Sequence, residues 1–129
     1  MEVERKELKE LKPGKLVVID GEPCRVVDIS ISKPGKHGEA KARVSAVSLF
    51  SGKKKNILGP GDMRVDVPIL IRKTAQVIAL MGDRAQLMDM ESYETYEEDI
   101  PEDMKGKLEA GQEVEVWEIL GRRLISRVR

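Results

Sequence analysis

Cysteine, histidine, aromatic residues and long apolar runs are all scarce in this sequence. Its 129 residues include one cysteine, one histidine and 3% aromatic residues. The single cysteine, Cys24, excludes an internal disulfide and suits a reducing cytoplasm. Its place in an alternating apolar segment predicts a buried side chain rather than a reactive thiol. No apolar run approaches the roughly 20 residues of a membrane span, and no secretory signal opens the chain. We therefore predict a cytoplasmic protein that does not enter a membrane.

The scarcity of chemically active side chains also argues against catalysis. His37 is the only histidine, and Cys24 with His37 cannot supply the ligands of a familiar zinc site. The pair Gly35-Lys36 is not a phosphate-binding loop, because His37 stands where Ser or Thr is required. We expect no catalytic residue, no metal and no bound cofactor, and therefore a protein that is not an enzyme.

Charge is balanced overall but unevenly distributed. Lysine plus arginine equals aspartate plus glutamate, at 23 each. Residues 1–70 hold 14 basic against 10 acidic side chains, and residues 71–129 hold 9 against 13. The basic excess is concentrated in seven residues, which have only Glu39 as an acidic neighbour in the same stretch: Lys33, Lys36, Lys41, Arg43, Lys53, Lys54 and Lys55. This concentration predicts contact with the phosphate backbone of RNA, the alternative being an ordinary solvated surface.

Period-two alternation and frequent turn residues predict an all-β first half. Asp20-Gly21 is the clearest of its turn signals. Short strands with tight turns are typical of an SH3-like barrel. Pro68 is interpreted as a junction, because proline cannot donate to a central sheet ladder, and the charged residues 1–12 are expected to be frayed or loosely attached. Four strands are predicted, at residues 16–19, 24–31, 42–50 and 56–58.

The second half also reads as a small antiparallel β domain. Residues 76–81 and 84–89 flank Gly82-Asp83, a two-residue hairpin signal, and residues 114–120 and 124–128 flank Gly121-Arg122-Arg123. Five strands with a small helix fit an OB-fold. Trp117 lies inside an alternating run, which assigns it to the core. The remaining two elements are interpreted as a strand at residues 93–98 and a short helical turn at residues 102–108.

An acidic cluster follows the first of these hairpins. A metal or acid/base role needs convergent geometry that this spacing does not show, so a solvated face is the interpretation. The few aromatic residues argue against sequence-specific RNA recognition by this half. The cluster consists of Glu91, Glu94, Glu97, Glu98, Asp99, Glu102 and Asp103.

The segment between the strands predicted at 24–31 and 42–50 is the most informative part of the chain. Pro34-Gly35 and Gly38 are turn formers, so the segment is predicted to form the tip of a hairpin. Lys36 stands beside residues that offer little side chain to pack against, and it is expected to project into solvent. On the residues alone, such a lysine either keeps the protein soluble or is reached by an enzyme or a partner.

This run resembles the modification loop of the translation initiation factor 5A family, whose eukaryotic form reads Ser-Lys-Thr-Gly-Lys-His-Gly-His-Ala-Lys. Here it reads Ser32-Lys33-Pro34-Gly35-Lys36-His37-Gly38-Glu39-Ala40-Lys41, so Pro34 and Glu39 are the departures. Three other segments resemble the family in the expected order: Gly21-Glu22-Pro23-Cys24-Arg25, Phe50-Ser51-Gly52-Lys53-Lys54 and Val65-Asp66-Val67-Pro68. The resemblance is strong through Pro68 and weaker in sequence beyond it.

The resemblance implies an SH3-like barrel over residues 1–70 and an OB-fold over residues 71–129. It implies that deoxyhypusine synthase, using NAD and spermidine, transfers an aminobutyl group to Lys36, giving deoxyhypusine or hypusine. The rest of the implied modification loop is Ser32, Lys33, Pro34, Gly35, His37, Gly38 and Lys41. The implied partners are the ribosome, through rRNA and peptidyl-tRNA, and the modifying synthase, with no DNA and no membrane. The implied role is to promote peptide-bond formation at stalled sequences such as polyproline.

Two other functions stay open at this point. An unmodified RNA-binding module would use the same hairpin as a phosphate clamp, and it would lose affinity comparably when Lys33, Lys36 or Lys41 is neutralised. A protein-interaction adaptor using the acidic second half has only that charge in its favour.

Overall fold

The computed structural model describes residues 3–33 and 40–129 of a chain that divides into two compact units, Met1–Ile69 and Leu70–Arg129. Regular structure in the described residues is almost entirely β. The helical segments there are two short 3-10 turns, Leu8–Glu10 and Glu102–Met104. The predicted all-β fold is confirmed. None of the helical segments described is long and apolar enough to cross a bilayer.

The first unit combines a sheet with a small separate ladder. Within its described residues the strands are β1 (Val3–Glu7), β2 (Leu16–Ile19), β3 (Glu22–Ser32), β4 (Lys41–Ser48), β5 (Lys54–Pro60) and β6 (Arg64–Pro68). The antiparallel sheet has the order β2-β3-β4-β5, and β1 pairs with β6. The predicted turn Asp20-Gly21 joins β2 to β3 with φ angles of 53° and 77°. Both angles are positive, as a two-residue type I′ hairpin turn requires.

The core of the first unit follows the alternation of β4. Ala42, Val44 and Ala46 are at most 1% exposed, whereas the residues between them face away from the core. Cys24 packs in the same core and is fully buried, so its predicted burial is confirmed. Burial raises the pKa of the Cys24 thiol, which disfavours the reactive thiolate.

The expectation that residues 1–12 are loosely attached is wrong for the described part of that segment. β1 pairs with β6 with Val3 opposite Pro68, and Leu8 and Leu11 are 0% and 4% exposed. No local strand signal marks β1 in the sequence, because most side chains of a surface ladder face water and are charged in this strand. The strand β6 was not predicted either. Pro68 ends its ladder, where a missing N–H is tolerated.

The second unit is one curled antiparallel sheet. Residues 70–129 are all described and form β7 (Ile71–Met81), β8 (Arg84–Asp89), β9 (Thr95–Asp99), β10 (Glu113–Ile119) and β11 (Arg122–Val128). The strand order is β11-β10-β7-β8-β9, and the end strands β9 and β11 also contact each other. The two predicted hairpins, β7 with β8 and β10 with β11, are confirmed.

Three details of the second unit differ from the sequence prediction. Leu120 and Gly121 form a two-residue turn with φ angles of 51° and 75°, so Arg122 and Arg123 belong to β11 rather than to a loop. The predicted strand at 93–98 is found at Thr95–Asp99. The predicted helical turn at 102–108 is shorter, covering Glu102–Met104.

Trp117 is half-buried and lies outside the core to which the sequence assigned it. Alternation along β10 places Val114 and Val116 in the core. Trp117 therefore shares the opposite face with Glu115. The indole Nε1–H donates to Glu115 Oε2 at 3.0 Å, which satisfies the polar end of the side chain.

Asp89 closes the turn that follows β8. Its Oδ1 accepts the backbone N–H groups of Ser92 at 3.0 Å and Glu91 at 2.8 Å. These bonds hold the pKa of the Asp89 carboxyl below its usual value, because they favour the charged form. The side chain is 6% exposed.

Replacing Leu8 tests the docking of the N-terminal segment. Leu8→Ala removes a fully buried side chain, and we expect it to lower the free energy of unfolding by about 2–5 kcal/mol. Urea denaturation measures the loss. Glu4→Ala, at an exposed position of β1, is the control and should change stability by less than about 0.5 kcal/mol. Equal stability of the two variants would contradict the structure of this segment.

Replacing Asp89 tests the turn after β8. Asp89→Ala should lower the free energy of unfolding at pH 7 by about 1–3 kcal/mol, because two backbone N–H groups lose a charged acceptor. The folded pKa is depressed, so this contribution is complete above the unfolded pKa and is lost as pH falls through the folded pKa. The difference between wild type and variant should therefore shrink on acidification below about pH 4. Unfolding curves at several pH values measure it, with Asp103→Asn, at an exposed site, as control.

Candidate nucleic-acid interface at the β3–β4 hairpin

The pairing of β3 with β4 brackets the segment that the sequence singled out. Ser32 lies opposite Lys41 and Ser30 opposite Arg43 in the antiparallel register, so the predicted pairing of the two flanking strands is confirmed. The chain between them runs through residues 33–40. Five residues of the predicted modification loop lie outside the described residues: Pro34, Gly35, Lys36, His37 and Gly38.

The described residue that precedes β4 is held by the rest of the unit. The Ala40 carbonyl accepts the N–H of Gly61 at 2.8 Å, and the Gly61 carbonyl accepts the N–H of Lys9 at 2.9 Å. The N-terminal segment is thereby linked to the hairpin through two successive backbone hydrogen bonds. Such links restrict the backbone where the segment 33–40 enters β4.

Strand alternation puts the cations of β4 on the outer face of the sheet. Ala42 and Val44 are fully buried, so Lys41 and Arg43 face the other way and are exposed. Arg43 is paired with Leu58 of the neighbouring β5. Leu58 is 62% exposed, which leaves an apolar side chain beside the guanidinium-bearing strand.

A cavity of about 280 Å³ lies on this face, beside the last pairs of β3 and β4 before the connecting segment 33–40. Its lining includes two cationic side chains and two hydroxyl groups. Groups of both kinds donate hydrogen bonds to phosphate oxygens. Lys33 directly follows Ser32, the last residue of β3, and is exposed. Sequence reasoning missed Ser30 and Leu58, although alternation combined with the strand register would have placed them here. The lining residues are Ser30, Ile31, Ser32, Lys41, Arg43 and Leu58.

The other three predicted RNA-contacting lysines lie at the far end of the hairpin. β4 pairs with β5 so that Pro60 is opposite Lys41 and Lys54 is opposite Val47. Lys41 and Val47 are six positions apart along β4, which corresponds to roughly 20 Å. The structure therefore divides the basic stretch of the sequence into two groups. Lys33, Lys41 and Arg43 lie beside the connecting segment 33–40, and Lys53, Lys54 and Lys55 lie at the other end of β4.

Lys55 differs from its two neighbours because it forms ion pairs within the unit. Its Nζ lies 3.2 Å from Glu22 Oε2 and 3.4 Å from Asp20 Oδ2. The hydrogen bond to Glu22 raises the pKa of Lys55, and the same bond lowers the pKa of Glu22. Ser48 Oγ donates to the other oxygen of Glu22 at 3.3 Å. Lys53 and Lys54 are exposed, whereas the side chain of Lys55 is only 20% exposed.

Several acidic residues of the second unit pair with nearby cations. Arg84 lies 2.7 Å from Asp99 and 3.8 Å from Glu97, and Lys105 lies 2.8 Å from Glu102. Across residues 3–33 and 40–129, no group of three or more His, Cys, Asp or Glu side chains is placed to hold a metal ion. These carboxylates balance local charge and do not converge on one point.

Two family models match the chain, one for each unit. The model described as "Translation initiation factor 5A-like, N-terminal" matches residues 4–63. The model described as "Eukaryotic elongation factor 5A hypusine, DNA-binding OB fold" matches residues 69–129. Together with the solved structure described next, these matches confirm the predicted fold class of an SH3-like barrel followed by an OB-fold.

Similar proteins extend over both units. The chain is 58% identical over 124 residues to translation initiation factor 5A of Hyperthermus butylicus, covering 95% of this chain and 91% of that protein. It is 50% identical over 131 residues to that of Thermofilum pendens, covering 100% and 99%. The solved structure of eukaryotic translation initiation factor 5A from Methanococcus jannaschii is 48% identical, covers 99% and 96% of the two chains and has a TM-score of 0.92. A family protein from Naegleria fowleri is 27% identical, covers 100% and 99%, and has a TM-score of 0.78.

The pairing of Lys55 predicts opposite behaviour for two adjacent lysines. Lys55→Gln should lower the midpoint of urea unfolding, because Glu22 loses its partner, and it should leave RNA affinity nearly unchanged. Lys54→Gln is the matched control. It should leave stability unchanged and reduce the salt slope for single-stranded RNA by about 0.7 if Lys54 contacts one phosphate. A loss of RNA affinity with Lys55→Gln equal to that with Lys54→Gln would contradict the internal role of Lys55.

Proposed function

The chain belongs to the translation initiation factor 5A family, and we propose that it acts on the ribosome through a modified lysine, Lys36. The proposal rests on one observation above all. The run Gly35-Lys36-His37-Gly38, which resembles the family's modification site, connects two strands whose register sets Ser32 opposite Lys41. Family matches over both units support it, because they extend beyond the loop to nearly the whole chain.

Lys36 is proposed to be the nucleophile in its own modification. Deoxyhypusine synthase, with NAD and spermidine, transfers an aminobutyl group to the ε-amine, which must be unprotonated to react. The C–N bond between the aminobutyl group and the rest of spermidine breaks, 1,3-diaminopropane leaves with the proton lost from the ε-amine, and NAD is regenerated. The nearby cations Lys33 and Lys41 disfavour a further positive charge, and Glu39 opposes them. The product is deoxyhypusine, or hypusine after hydroxylation. The protein is therefore a substrate of the synthase and holds no cofactor of its own.

The lengthened side chain is proposed to work by positioning. It carries two amines on a longer reach and lies beside the acceptor end of peptidyl-tRNA, between the peptidyl and exit sites of a cytoplasmic ribosome. Orientation of reacting groups contributes strongly to rate, so the factor promotes peptide-bond formation at stalled sequences such as polyproline without catalysing it through its own chemistry. Two cations and two hydroxyl groups border the segment that contains the modified lysine, and they are suited to bind the phosphate backbone of tRNA or rRNA near it. They belong to Lys41, Arg43, Ser30 and Ser32.

Peptide mass spectrometry of the protein purified from its native host tests the modification. We expect an aminobutyl addition on Lys36, with or without a hydroxyl group. An unmodified Lys36 in nearly all molecules would refute the modified-factor proposal. It would favour the second candidate function, an unmodified phosphate clamp, which the cationic cavity beside the segment 33–40 supports.

Two substitutions at Lys36 separate these functions. Lys36→Ala and Lys36→Arg should both fold normally and both lose relief of polyproline stalling, on the order of 100-fold in rate, because neither side chain accepts the aminobutyl group. Arginine keeps the positive charge, so it is the matched control for a simple clamp. Translation of a polyproline reporter in a reconstituted system measures the rate. Full activity of Lys36→Arg in that assay would show that charge alone suffices.

A further inference from the structure

A second cationic surface lies in the first unit, in a cleft of about 360 Å³. Three exposed lysines line it: Lys6 on β1, and Lys12 and Lys15 in the segment that precedes β2. We call it the tri-lysine cleft. None of the three belongs to the basic stretch from Lys33 to Lys55 that the sequence singled out. The apolar part of the lining is formed by Leu11, Leu16, Val67 and Pro68.

The charge of the tri-lysine cleft is not balanced locally. Lys6, Lys12 and Lys15 form no ion pair with any acidic side chain in the described part of the chain. Among the described residues Glu10 is the one carboxylate of the lining, and its Oε1 accepts the N–H of Glu7 at 3.1 Å. The described lining therefore has an excess of positive charge, with three lysines against one glutamate.

The backbone that carries these lysines is well anchored. Leu8, the first residue of the 3-10 turn, and Leu11, which directly follows the turn, are both buried. The N–H of Leu8 donates to the Met63 carbonyl at 2.8 Å. The Lys15 carbonyl accepts the N–H of Val26 at 2.8 Å, and the Lys15 N–H donates to the Lys12 carbonyl at 3.0 Å. The positions of the lysine Cα atoms are thus fixed before a ligand arrives, which reduces the entropy lost on binding.

The tri-lysine cleft is separate from the hairpin interface. Leu16 in its lining lies opposite Arg25 of β3, whereas the hairpin cavity lies near Ser32, at the end of the same strand. Seven residues of a strand span roughly 20 Å. The cleft also lies at the β2 edge of the sheet, while the hairpin cavity uses β5 at the other edge.

The chemistry of the lining favours one class of ligand. Lysine ammonium groups act as point charges for phosphate, and the cleft volume lies at the low end of ligand pockets, about 300–1,000 Å³. None of the described lining residues is aromatic, so they offer no stacking surface of the kind that holds bases. Apolar side chains beside the lysines suit the carbon atoms of ribose.

We propose that the tri-lysine cleft binds the sugar-phosphate backbone of single-stranded RNA, as a second contact that does not use the hairpin. Binding is independent of base sequence and of the modification of Lys36. The proposal rests on the ribosomal function only for the source of the RNA, which would be rRNA. Two separated phosphate contacts on one small unit would fix its orientation on RNA as well as its affinity.

The test measures binding of a short fluorescein-labelled single-stranded RNA by anisotropy over a range of KCl concentrations. It uses the full chain carrying Lys33→Gln, Lys36→Ala, Lys41→Gln and Arg43→Gln, which removes the four basic side chains in and beside the segment 33–40. Adding Lys6→Gln, Lys12→Gln and Lys15→Gln should reduce the salt slope by about 2, since each single-strand phosphate contact contributes about 0.7. Circular dichroism melting should show unchanged stability, because all three side chains are exposed.

Lys9→Gln is the matched control. Lys9 lies in the same segment but outside the cleft lining, and its Nζ lies 3.3 Å from Glu7 Oε1. Its replacement should leave the salt slope unchanged. An unchanged slope in the triple cleft variant, or an equal loss with Lys9→Gln, would overturn the proposal. Poly-glutamate competing as well as RNA of equal charge would overturn the assignment to RNA. None of these outcomes depends on whether Lys36 is modified, so they are distinguishable from failure of the proposed function.

Discussion

The antiparallel register of β3 on β4 is the constraint on which the candidate site depends. Because side chains alternate along a strand, burial of Ala42 and Val44 commits Lys41 and Arg43 to the outer face. A shift of one residue would bury the cations and expose the core. The same register sets Ser32 opposite Lys41, which holds the ends of the segment 33–40 about 5 Å apart.

The N-terminal segment supports this hairpin from another direction. Its ladder with β6 and the burial of Leu8 anchor the 3-10 turn, and Lys9 then bonds to Gly61, which bonds to Ala40. The residue that leads into β4 is therefore tied to the start of the chain. A segment composed mostly of charged residues thus helps to fix the hairpin that carries the candidate site, and it also carries two lysines of the tri-lysine cleft, Lys6 and Lys12.

The lysines of the first unit are not equivalent, although composition treats them alike. Lys55 is paired with Glu22 and Asp20 and serves the unit itself. Lys54, one residue away, is exposed. Pairing partners and strand position decide whether a lysine stabilises the fold or stays available for phosphate, and both depend on residues distant in sequence.

The sequence alone predicts the all-β class, the four strands of the main sheet in the first unit and the two hairpins of the second. These depend on local signals, namely period-two alternation and turn residues such as Asp20-Gly21. It also identified the family, through runs such as Gly35-Lys36-His37-Gly38, which no pairing is needed to recognise.

How these pieces meet depends on contacts between residues that are far apart in the sequence. β1 and β6 pair across about sixty residues of sequence, and the run of charged residues in β1 gives no local strand signal. Trp117 lies outside the core because the alternation of β10 places Val114 and Val116 on the core side, and an alternating run by itself does not say which of its two faces is buried. The basic stretch separated into two groups because antiparallel pairing sends its two ends to opposite ends of a hairpin. Pairings of this kind follow from burial summed over the whole unit, which no single segment of the sequence contains.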